Sequence, residues 1–366
     1  MDGSTPPSRT WAEVDLGAVR HNARALRGRA GVPLMAVVKA DAYGHGAVPV
    51  ARAALEAGAD TLAVVTVEEG AELRMAGIGA PILVFTDLPP DRLPLARQHG
   101  LAVTAHSLES ARRIAAVPGL SAHLKVNTGM NRWGVEPSEV GGARKILAGR
   151  LAGVYTHFAS ADSDARETRR QIGRFDAVLA DQPFGGLTVH AANSAALLWH
   201  PGSRYDLVRP GVALYGLHPR GDQGDPAEEG LRPALTLKSY VAGIRRLLPK
   251  EGVSYGLTYR AEEPTLAATV PVGYAEGYRR ALSGRGYALI RGSGRPLLGR
   301  VTMDACVFGV DEGVEVGDEV VLLGGQGDEG VSAEELGRLA GTINYEVTTG
   351  INPRRVERSY TDVRGS

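Results

Sequence analysis

The sequence lacks the residues from which disulfides and many metal centres are built. Cys306 is the only cysteine among 366 residues, which excludes an intrachain disulfide and any metal site with several cysteine ligands. The sequence offers no ligand set for zinc, so we expect no metal. A single cysteine suits a reducing compartment, and the polar residues 1–10 contain no apolar core of a signal peptide. We therefore expect a cytoplasmic protein.

Net charge and long hydrophobic runs are also missing. The 41 acidic side chains balance the 41 basic ones, and no basic cluster alternates with aromatic residues. This composition argues against nucleic acid and against an anionic membrane surface as partners. No apolar run is long enough to cross a bilayer. We therefore expect the partner to be a small molecule.

Lysine is scarce as well, since only five of the 41 basic residues are lysines and 36 are arginines. Lys39 ends the apolar run 32–38, and small and glycine residues follow it, as at the end of a buried parallel strand. In parallel α/β folds that end carries the chemistry, and a partly desolvated lysine becomes a nucleophile towards carbonyl groups. Lys39 is therefore a candidate Schiff-base lysine. The alternative is a solvated lysine that only terminates a strand.

The chain does contain a regular alternation of short apolar runs and amphipathic segments, and its length suits two domains. A strand at residues 11–16 and a helix at residues 18–29 come first. Eight further strand candidates then follow, at residues 32–38, 61–65, 81–85, 101–105, 121–126, 151–156, 187–190 and 205–208. Eight alternating strand and helix units predict a parallel (β/α)8 barrel, or TIM barrel, of the α/β class. An open, doubly wound sheet is the alternative.

The alternation ends at residues 219–230, a polar stretch rich in glycine and proline, and we place the domain boundary there. The barrel domain is then predicted to occupy residues 11–230, after a flexible tail at residues 1–10. Residues 231–366 are predicted to form a smaller, mostly-β carboxy-terminal domain. Its strand candidates are residues 234–244, 265–272, 287–291, 305–310 and 319–323, followed by a helix that Ser332 caps.

Polar residues stand at the ends of the predicted barrel strands, and a closed barrel brings them to one mouth. They are Lys39 and Tyr43 after the first strand, Lys125 and Arg132 at the fifth, His157 after the sixth, Asn193 and Ser194 after the seventh, and Arg209 and Gly211 after the eighth. Ser194 and the amide of Gly211 suit a phosphate. Each residue taken singly has an alternative role. His157 could bridge backbone groups, Arg132 could be a surface cation, and Ser194 could cap the next helix. A lysine nucleophile beside a phosphate cradle is what pyridoxal 5′-phosphate requires.

Ordered motifs along nearly the whole chain, from residue 11 to about residue 360, resemble those of the alanine racemases. The motifs are Trp11-Ala-Glu-Val-Asp-Leu, Val38-Lys-Ala-Asp-Ala-Tyr-Gly-His-Gly, His123-Leu-Lys-Val-Asn-Thr-Gly-Met-Asn-Arg, Tyr155-Thr-His-Phe-Ala, His190-Ala-Ala-Asn-Ser, Arg209-Pro-Gly-Val-Ala-Leu-Tyr-Gly, Val253-Ser-Tyr-Gly, Val270-Pro-Val-Gly-Tyr-Ala-Glu-Gly-Tyr, Gly299-Arg-Val-Thr-Met-Asp and Ile343-Asn-Tyr-Glu-Val. The resemblance implies a pyridoxal-phosphate enzyme with an amino-terminal barrel, a carboxy-terminal β domain and a homodimeric assembly with shared active sites.

The resemblance also implies roles for individual residues. Lys39 holds the cofactor as a Schiff base and is one of two acid/base groups, and Tyr255 of the partner subunit is the other. The remaining implied roles are Tyr43, Ser194, Gly211 and Tyr345 for the phosphate; Arg132 for the phenolic oxygen and the substrate; Arg209, with His157 behind it, for the pyridine nitrogen; the partner's Met303 for the substrate carboxylate; and Tyr274 and Arg300 at the entrance. Lys125 matches a position that is carbamylated in some members.

The implied reaction is the interconversion of L- and D-alanine, which supplies D-alanine for peptidoglycan. Two bases on opposite faces of the α-carbon suffice for racemisation. Lysine and tyrosine have reference pKa values of about 10, so the site must lower these values. The alternatives are a serine or broad-specificity racemase, a fold-related decarboxylase and a non-enzymatic carrier of the cofactor. A decarboxylase requires an acid where Arg209 stands, and a carrier does not require residues 231–366.

Overall fold

The computed structural model of the protein describes residues 9–362. In chain order its strands are β1 (Trp11–Asp15), β2 (Met35–Val37), β3 (Thr61–Val64), β4 (Ile82–Val84), β5 (Val103–Ala105), β6 (Ala122–Lys125), β7 (Leu151–Tyr155), β8 (Thr188–His190), β9 (Leu235–Tyr240), β10 (Gly243–Leu247), β11 (Gly252–Val253), β12 (Tyr259–Arg260), β13 (Thr265–Val270), β14 (Tyr287–Ile290), β15 (Ser293–Pro296), β16 (Cys306–Val310), β17 (Glu319–Gln326), β18 (Glu329–Val331) and β19 (Glu357–Thr361). Its helices are α1 (Leu16–Ala30), α2 (Lys39–Tyr43), α3 (Ala47–Glu56), α4 (Val67–Met75), α5 (Leu93–Gln98), α6 (Leu108–Ala115), α7 (Val140–Ile146), α8 (Ala165–Asp181), α9 (Ser194–Trp199), α10 (Ala333–Ala340) and α11 (Asn344–Thr349).

The amino-terminal region forms the predicted (β/α)8 barrel. Strands β2 to β4 make one parallel sheet and β5 to β8 another, and a bridge between Leu83 and Ala102 joins the two sheets. Residues 207 and 208 close the ring, because Leu207 bridges His190 and Val208 bridges Leu34, both in the parallel sense. The strands therefore form a closed barrel and not the alternative open sheet.

The eighth predicted strand, residues 205–208, is reduced to these two bridging residues. Tyr205 has a positive φ of 47°, which is incompatible with an extended strand, and Pro210 has no amide hydrogen to donate. The prediction of a full strand here is therefore wrong, although the segment occupies the position that closes the barrel.

Local sequence signals explain where several barrel helices begin and end. The Thr66 hydroxyl accepts the amide of Glu69 while the Glu69 carboxylate accepts the amide of Thr66, which is the capping box that opens α4. The Asp15 carboxylate likewise accepts two amides at the start of α1. Gly31, in a left-handed conformation with φ of 68°, ends that helix.

The carboxy-terminal region is mostly β, as predicted. Its largest sheet has the order β15-β14-β17-β9-β1-β19, with β18 added beside β17, and a second sheet has the order β10-β13-β16. Residues 234–244, predicted as one strand, form parts of two strands that belong to different sheets. Helices α10 and α11 follow the last long strand, and Ser332 caps α10 by accepting the amide of Glu335.

The expectation that the barrel domain begins at residue 11 requires a correction. Strand β1 pairs antiparallel with β9 and parallel with β19, so it belongs to the sheet of the carboxy-terminal region. Only Ala12 and Val14 are buried in β1, whereas all three residues of β2 are buried. That alternation suits a sheet with one face on the core, and continuous burial suits a barrel strand.

The predicted flexible tail, residues 1–10, lies outside the described residues except for its last two. Thr10 is fully buried and donates a hydrogen bond to the carbonyl of Pro271 at 3.1 Å. Arg9 donates to the carbonyl of Asp304 at 2.6 Å. These two residues pack against the carboxy-terminal region, so their assignment to a tail is wrong. Among residues 9–362, no helix is long and apolar enough to cross a membrane.

Candidate active site

A cavity of about 550 Å³ opens where the barrel strands end, and it is lined by ten of the residues that the sequence singles out. They are Lys39, Tyr43, Lys125, Arg132, His157, Asn193, Ser194, Arg209, Gly211 and Tyr345. Nine of them come from the barrel and one, Tyr345, from α11 of the carboxy-terminal region. The closed barrel thus brings strand ends that are far apart in the sequence to one mouth.

Lys39 and Tyr43 reach this cavity from a turn of unusual backbone conformation. Ala40, Asp41, Ala42 and Tyr43 all have positive φ values, between 51° and 53°. A left-handed conformation costs an L-residue about 1–2 kcal/mol, so surrounding contacts must hold this run of four in place. The turn presents the Lys39 amine 5.9 Å from the centre of the Tyr43 ring.

The environment of Lys39 favours its neutral amine. Burial lowers the pKa of Lys39 from its ordinary value, the positive charge of Arg132 lowers it further, and the carboxylate of Glu69 opposes the shift. A lysine must lose its proton before it attacks a carbonyl group. Lys39 is partly buried and lines the cavity, so it is not the fully solvated lysine of the alternative interpretation.

Tyr43, Ser194, Gly211 and Tyr345 line the cavity next to one another and form a polar cradle, in which the Tyr43 and Tyr345 ring centres are 6.2 Å apart. The Tyr345 hydroxyl donates to the carbonyl of Pro219 at 3.2 Å. The Ser194 hydroxyl accepts the amides of Gly211 at 3.0 Å and Ala213 at 3.3 Å. A Cβ atom at Gly211 would overlap the Tyr43 hydroxyl, so the close approach requires glycine. The cap of α9 is the side chain of Asn193, so Ser194 does not have the capping role considered as its alternative.

Arg209 lies buried beneath the cavity in a network that fixes its orientation. It donates to the carbonyls of Thr156 at 2.8 Å and Ala191 at 2.9 Å, and to Nδ1 of His190 at 2.9 Å. Burial lowers the pKa of Arg209 to about 10. The guanidinium therefore keeps its proton at neutral pH.

The contact with Arg209 also sets the tautomer of two histidines. An arginine can only donate, so Nδ1 of His190 accepts and its Nε2 carries the hydrogen. That Nε2 lies 2.8 Å from Nδ1 of His123 and donates to it. Burial, and after it the charge of Arg209, lowers the pKa of His123 to about 4 and that of His190 well below its ordinary value. His157, whose Nδ1 is 3.5 Å from Arg209, has its pKa lowered by the same two causes.

Lys125 also lines the cavity, together with the cations Arg132 and Arg209. Its side chain is buried, and its amine lies 5.8 Å from the centre of the Trp133 ring. Burial lowers the pKa of Lys125 to about 8, with further contributions from Arg132 and Arg209. The cavity is therefore electropositive and suited to an anionic molecule.

Four other predicted residues, Tyr255, Tyr274, Arg300 and Met303, do not line this cavity within the described part of the chain. They cluster instead on the surface of the carboxy-terminal region. The Ser254 hydroxyl donates to the carbonyl of Arg300 at 2.7 Å, and the Tyr274 amide donates to the carbonyl of Thr302 at 3.1 Å. Tyr255 is 75% exposed and Met303 52%, which is unusual for large apolar side chains.

Sequence reasoning missed several residues of the cavity and of the layer beneath it. Tyr155 lines the cavity, stacks on His190 with ring centres 4.8 Å apart and lies 5.0 Å from the Arg209 guanidinium. As the last residue of β7 it has the strand-end position that singled out His157, so that signal was present. Trp133, Asp162 and Ile343 also line the cavity, but they lie on loops, where no periodic pattern indicates direction.

Fold and cavity together define an enzyme of the two-domain barrel class, with a desolvated lysine beside a cradle of hydrogen-bond donors. Comparison with known proteins identifies the family. Residues 14–219 match the model of the alanine racemase N-terminal domain, and residues 234–360 match that of the alanine racemase C-terminal domain. The chain belongs to the alanine racemase family, whose members are isomerases, as the sequence motifs predicted.

Individual relatives agree with this assignment along the whole chain. The alanine racemase of Symbiobacterium thermophilum is 47% identical over 98% of each chain, and alanine racemase 1 of Bacillus subtilis is 42% identical over 94% of this chain and 91% of that protein. Among solved structures, the alanine racemase of D-cycloserine-producing Streptomyces lavendulae superposes with a TM-score of 0.91 at 41% identity, covering 98% of both chains. The Bacillus anthracis enzyme with bound L-Ala-P gives 0.90 at 37% identity, covering 99% of this chain and 97% of that one.

Proposed function

We propose that this protein interconverts L- and D-alanine with pyridoxal 5′-phosphate, using Lys39 and Tyr255 of the partner subunit as its two acid/base groups. The observation that carries the proposal is the combination, in one cavity, of a partly buried lysine amine and a polar cradle formed by Tyr43, Ser194, Gly211 and Tyr345. The family of the chain supports the reaction, and the cavity supports the cofactor.

The residues present fit the cofactor. The hydroxyls of Tyr43 and Ser194 provide donors of the kind that a phosphate requires. The amide of Gly211 and the hydroxyl of Tyr345, which here donate to Ser194 Oγ at 3.0 Å and to the carbonyl of Pro219 at 3.2 Å, lie beside them and would have to turn to a bound phosphate. A volume of about 550 Å³ is within the ordinary range for a small-molecule site. Lys39 would hold the aldehyde end covalently, and Arg132 would provide a cation for the phenolic oxygen. Once bound, the cofactor supplies the electron sink that makes the α-proton of an amino acid removable.

Lys39 and Tyr255 exchange protons with the two faces of the α-carbon. Burial and the charge of Arg132 lower the pKa of Lys39, which favours the neutral form in which Nζ can accept a proton. A second base is needed on the opposite face, because a base that acts on one face alone returns the proton to the side it came from. Tyr255 has a suitable hydroxyl, and its exposed side chain can reach the barrel cavity of a second subunit.

Arg209 limits how far the cofactor withdraws electrons. Its pKa of about 10 keeps the guanidinium charged at neutral pH, so it would donate a hydrogen bond to the ring nitrogen of the cofactor without giving up a proton to it. Withdrawal of electrons by the bound cofactor would then be weaker than with a protonated ring, which would favour return of the proton over side reactions.

A homodimer completes the site in this proposal. Tyr255, Leu257, Tyr274 and Met303 are exposed large side chains on one region of the carboxy-terminal domain, and such patches typically mark interfaces. A two-fold axis that sets this region against the barrel mouth of a second copy produces two equivalent sites. The partner's Met303 then offers its amide to the substrate carboxylate, and the partner's Tyr274 and Arg300 border the entrance. We further propose a cytoplasmic role in supplying D-alanine for peptidoglycan.

The test is to incubate the purified protein, supplemented with pyridoxal phosphate, with single enantiomers of alanine and serine. Circular dichroism should show that L- and D-alanine each decay to the racemic mixture, and serine should react more slowly. Borohydride reduction followed by peptide mapping should place the cofactor on Lys39. Label on a different lysine, or a faster reaction with serine, would contradict the proposal.

A further inference from the structure

The left-handed turn at residues 40–43 is held by three side chains. The Glu69 carboxylate accepts the amide of Ala40 at 2.7 Å, and Nδ1 of His45 lies 3.0 Å from the carbonyls of Ala42 and Tyr43. The third side chain, Asp41, is the one that links the turn to another part of the chain. One carboxylate oxygen of Asp41 accepts the amide of Ala47, the first residue of α3, at 2.7 Å. The backbone carbonyl of Asp41 accepts the amides of Gly44 at 3.1 Å and Gly46 at 2.9 Å. Asp41 thus ties the turn to the helix that follows it, and its second carboxylate oxygen is left for another partner.

That second oxygen forms an ion pair with Arg358, which lies on the last strand of the chain. In β19, Arg358 stands opposite Ala12 of β1, and Tyr360 stands opposite Val14. Residues two apart on a strand share one face, so both side chains point the same way. The Arg358 side chain is only 11% exposed, and the Tyr360 hydroxyl sits so close to Gly46 that a Cβ atom there would overlap it.

The carboxy-terminal strand therefore packs against the segment that carries Lys39 and Tyr43. We propose that Arg358 is a positioning residue, which holds the turn through Asp41 and so fixes where Lys39 and Tyr43 point in the cavity. The link to cofactor binding rests on the function proposed above, but the mechanical link between β19 and the turn does not. The Asp41 side chain is 39% exposed, so the contact is partly buried, and a charged hydrogen bond of this kind is among the stronger single contacts available to such a strained segment.

Hydrogen exchange of the full-length protein tests the mechanical link without the cofactor. In Arg358→Gln, the amides of residues 42–47 should exchange about tenfold faster than in the wild type, as expected for loss of one charged hydrogen bond. Exchange in β3 to β8 should not change. Arg20→Gln is the matched control, because it removes the ion pair of Arg20 with Asp362, which also joins the carboxy-terminal segment to α1, together with the pair of Arg20 with Glu56 of α3. The control should leave the turn at its wild-type exchange rate.

A double-variant comparison separates positioning from general stability. Asp41→Asn places an amide donor against the Arg358 guanidinium and should accelerate exchange as much as Arg358→Gln does. The pair Asp41→Asn with Arg358→Gln can form an amide–amide hydrogen bond, so exchange should return to within about threefold of the wild type. Asp41→Asn also serves as the test if Arg358→Gln does not fold. Additive effects in the double variant, or wild-type exchange in Asp41→Asn, would overturn the proposal.

Cofactor release provides the second readout. Pyridoxal phosphate should dissociate about tenfold faster from Arg358→Gln than from the wild type or from Arg20→Gln, as followed by its absorbance. If borohydride labels a residue other than Lys39, the proposed function fails while the exchange result still stands. If Lys39 is labelled but exchange and release in Arg358→Gln equal those of the wild type, the positioning role is overturned and the proposed function stands.

Discussion

Lys125 is a lysine whose surroundings favour an anion in its place. Its pKa of about 8 leaves about one amine in ten neutral at pH 7, and a neutral amine is what reacts with carbon dioxide. The carbamate that results is negatively charged, so Arg132 and Arg209, which disfavour the ammonium, favour it. We therefore predict that Lys125 is carbamylated.

Carbon-13 NMR of the protein in labelled bicarbonate should show a bound carbamate signal. The signal should grow between pH 6.5 and pH 8, because the neutral fraction of the amine rises through that interval. Lys125→Gln is the control and should abolish the signal. A signal that survives in Lys125→Gln would place the carbamate elsewhere, and no signal in the wild type would contradict the prediction.

Arg209 is predicted to control both the rate and the absorption spectrum of the loaded enzyme. Arg209→Glu puts a proton donor or an anion where the guanidinium lies, so the cofactor ring can become protonated and withdraw electrons more strongly. Racemisation should slow by a factor on the order of a hundred, and the visible absorption in the presence of alanine should increase. Arg209→Lys keeps the positive charge and should leave the spectrum unchanged. An unaltered rate and spectrum in Arg209→Glu would mean that Arg209 is only structural.

The sequence identified individual strand-end residues well but not the contacts beneath them. The scarcity of lysine and its place after an apolar run singled out Lys39, and the ends of the barrel strands supplied most of the cradle. The hydrogen bonds that connect His123, His190 and Arg209 were not predicted, since they depend on which way each side chain points in a closed barrel. Tautomers follow from contacts of this kind, and a linear pattern does not contain them.

At the scale of elements, the barrel contains several buried histidines that stay neutral when the protein is folded. Burial is the largest cause that lowers the pKa values of His45, His106 and His123 to about 4 each. In an unfolded chain the pKa of each of these histidines is about 6.5. Between those two values the unfolded state binds protons that the folded state does not. Stability is therefore unaffected by these histidines above about pH 6.5 and falls as the pH decreases towards 4.

We predict a loss of about 1.4 kcal/mol per pH unit for each such histidine in that interval. His106→Gln isolates one contribution, because an amide nitrogen can still donate to the carbonyl of Phe85, which lies 2.8 Å from Nε2 of His106. Urea unfolding of the cofactor-free protein at pH 7.5, 6 and 5 should show a shallower decline in the free energy of unfolding for the variant. Parallel declines for variant and wild type would contradict the pKa of His106.

Long or strongly patterned elements could be predicted from the sequence, and short strands with distant partners could not. The apolar runs of β2 to β8 and the caps of α4 and α10 were all visible in the sequence. Strand β19 is Glu-Arg-Ser-Tyr-Thr and mostly exposed, so it has no apolar pattern, and it exists because it pairs with β1 from the other end of the chain. Strand β1 was recognised as a strand, but its sheet was not, because pairing is a tertiary property.

At the scale of the whole molecule, the predicted site residues divide between two places. Lys39 lies in the barrel cavity, whereas Tyr255 is exposed on the carboxy-terminal domain and does not line that cavity. If both act on one substrate, the simplest arrangement is that each active site takes its lysine from one chain and its tyrosine from another. Mixed dimers of inactive variants test this division directly.

Lys39→Ala and Tyr255→Phe should each be nearly inactive as homodimers, since each lacks one acid/base group in both sites. When the two are mixed under conditions that exchange subunits, a mixed dimer has one site with both wild-type residues and one site with neither. Random pairing makes half of the dimers mixed, so about a quarter of the wild-type activity should return. Separately tagged chains, purified in tandem, provide the control that exchange has occurred.

The alternative is that Tyr255 acts with the Lys39 of its own chain. Every site in a mixed dimer then retains one intact residue and one substitution, and no activity returns. Tagged mixed dimers that form in full but stay inactive would therefore rule out the shared site while leaving the barrel cavity and its lysine in place. Recovery near a quarter, absent when either variant is mixed with itself, has no explanation within a single chain, because neither chain then contains both groups.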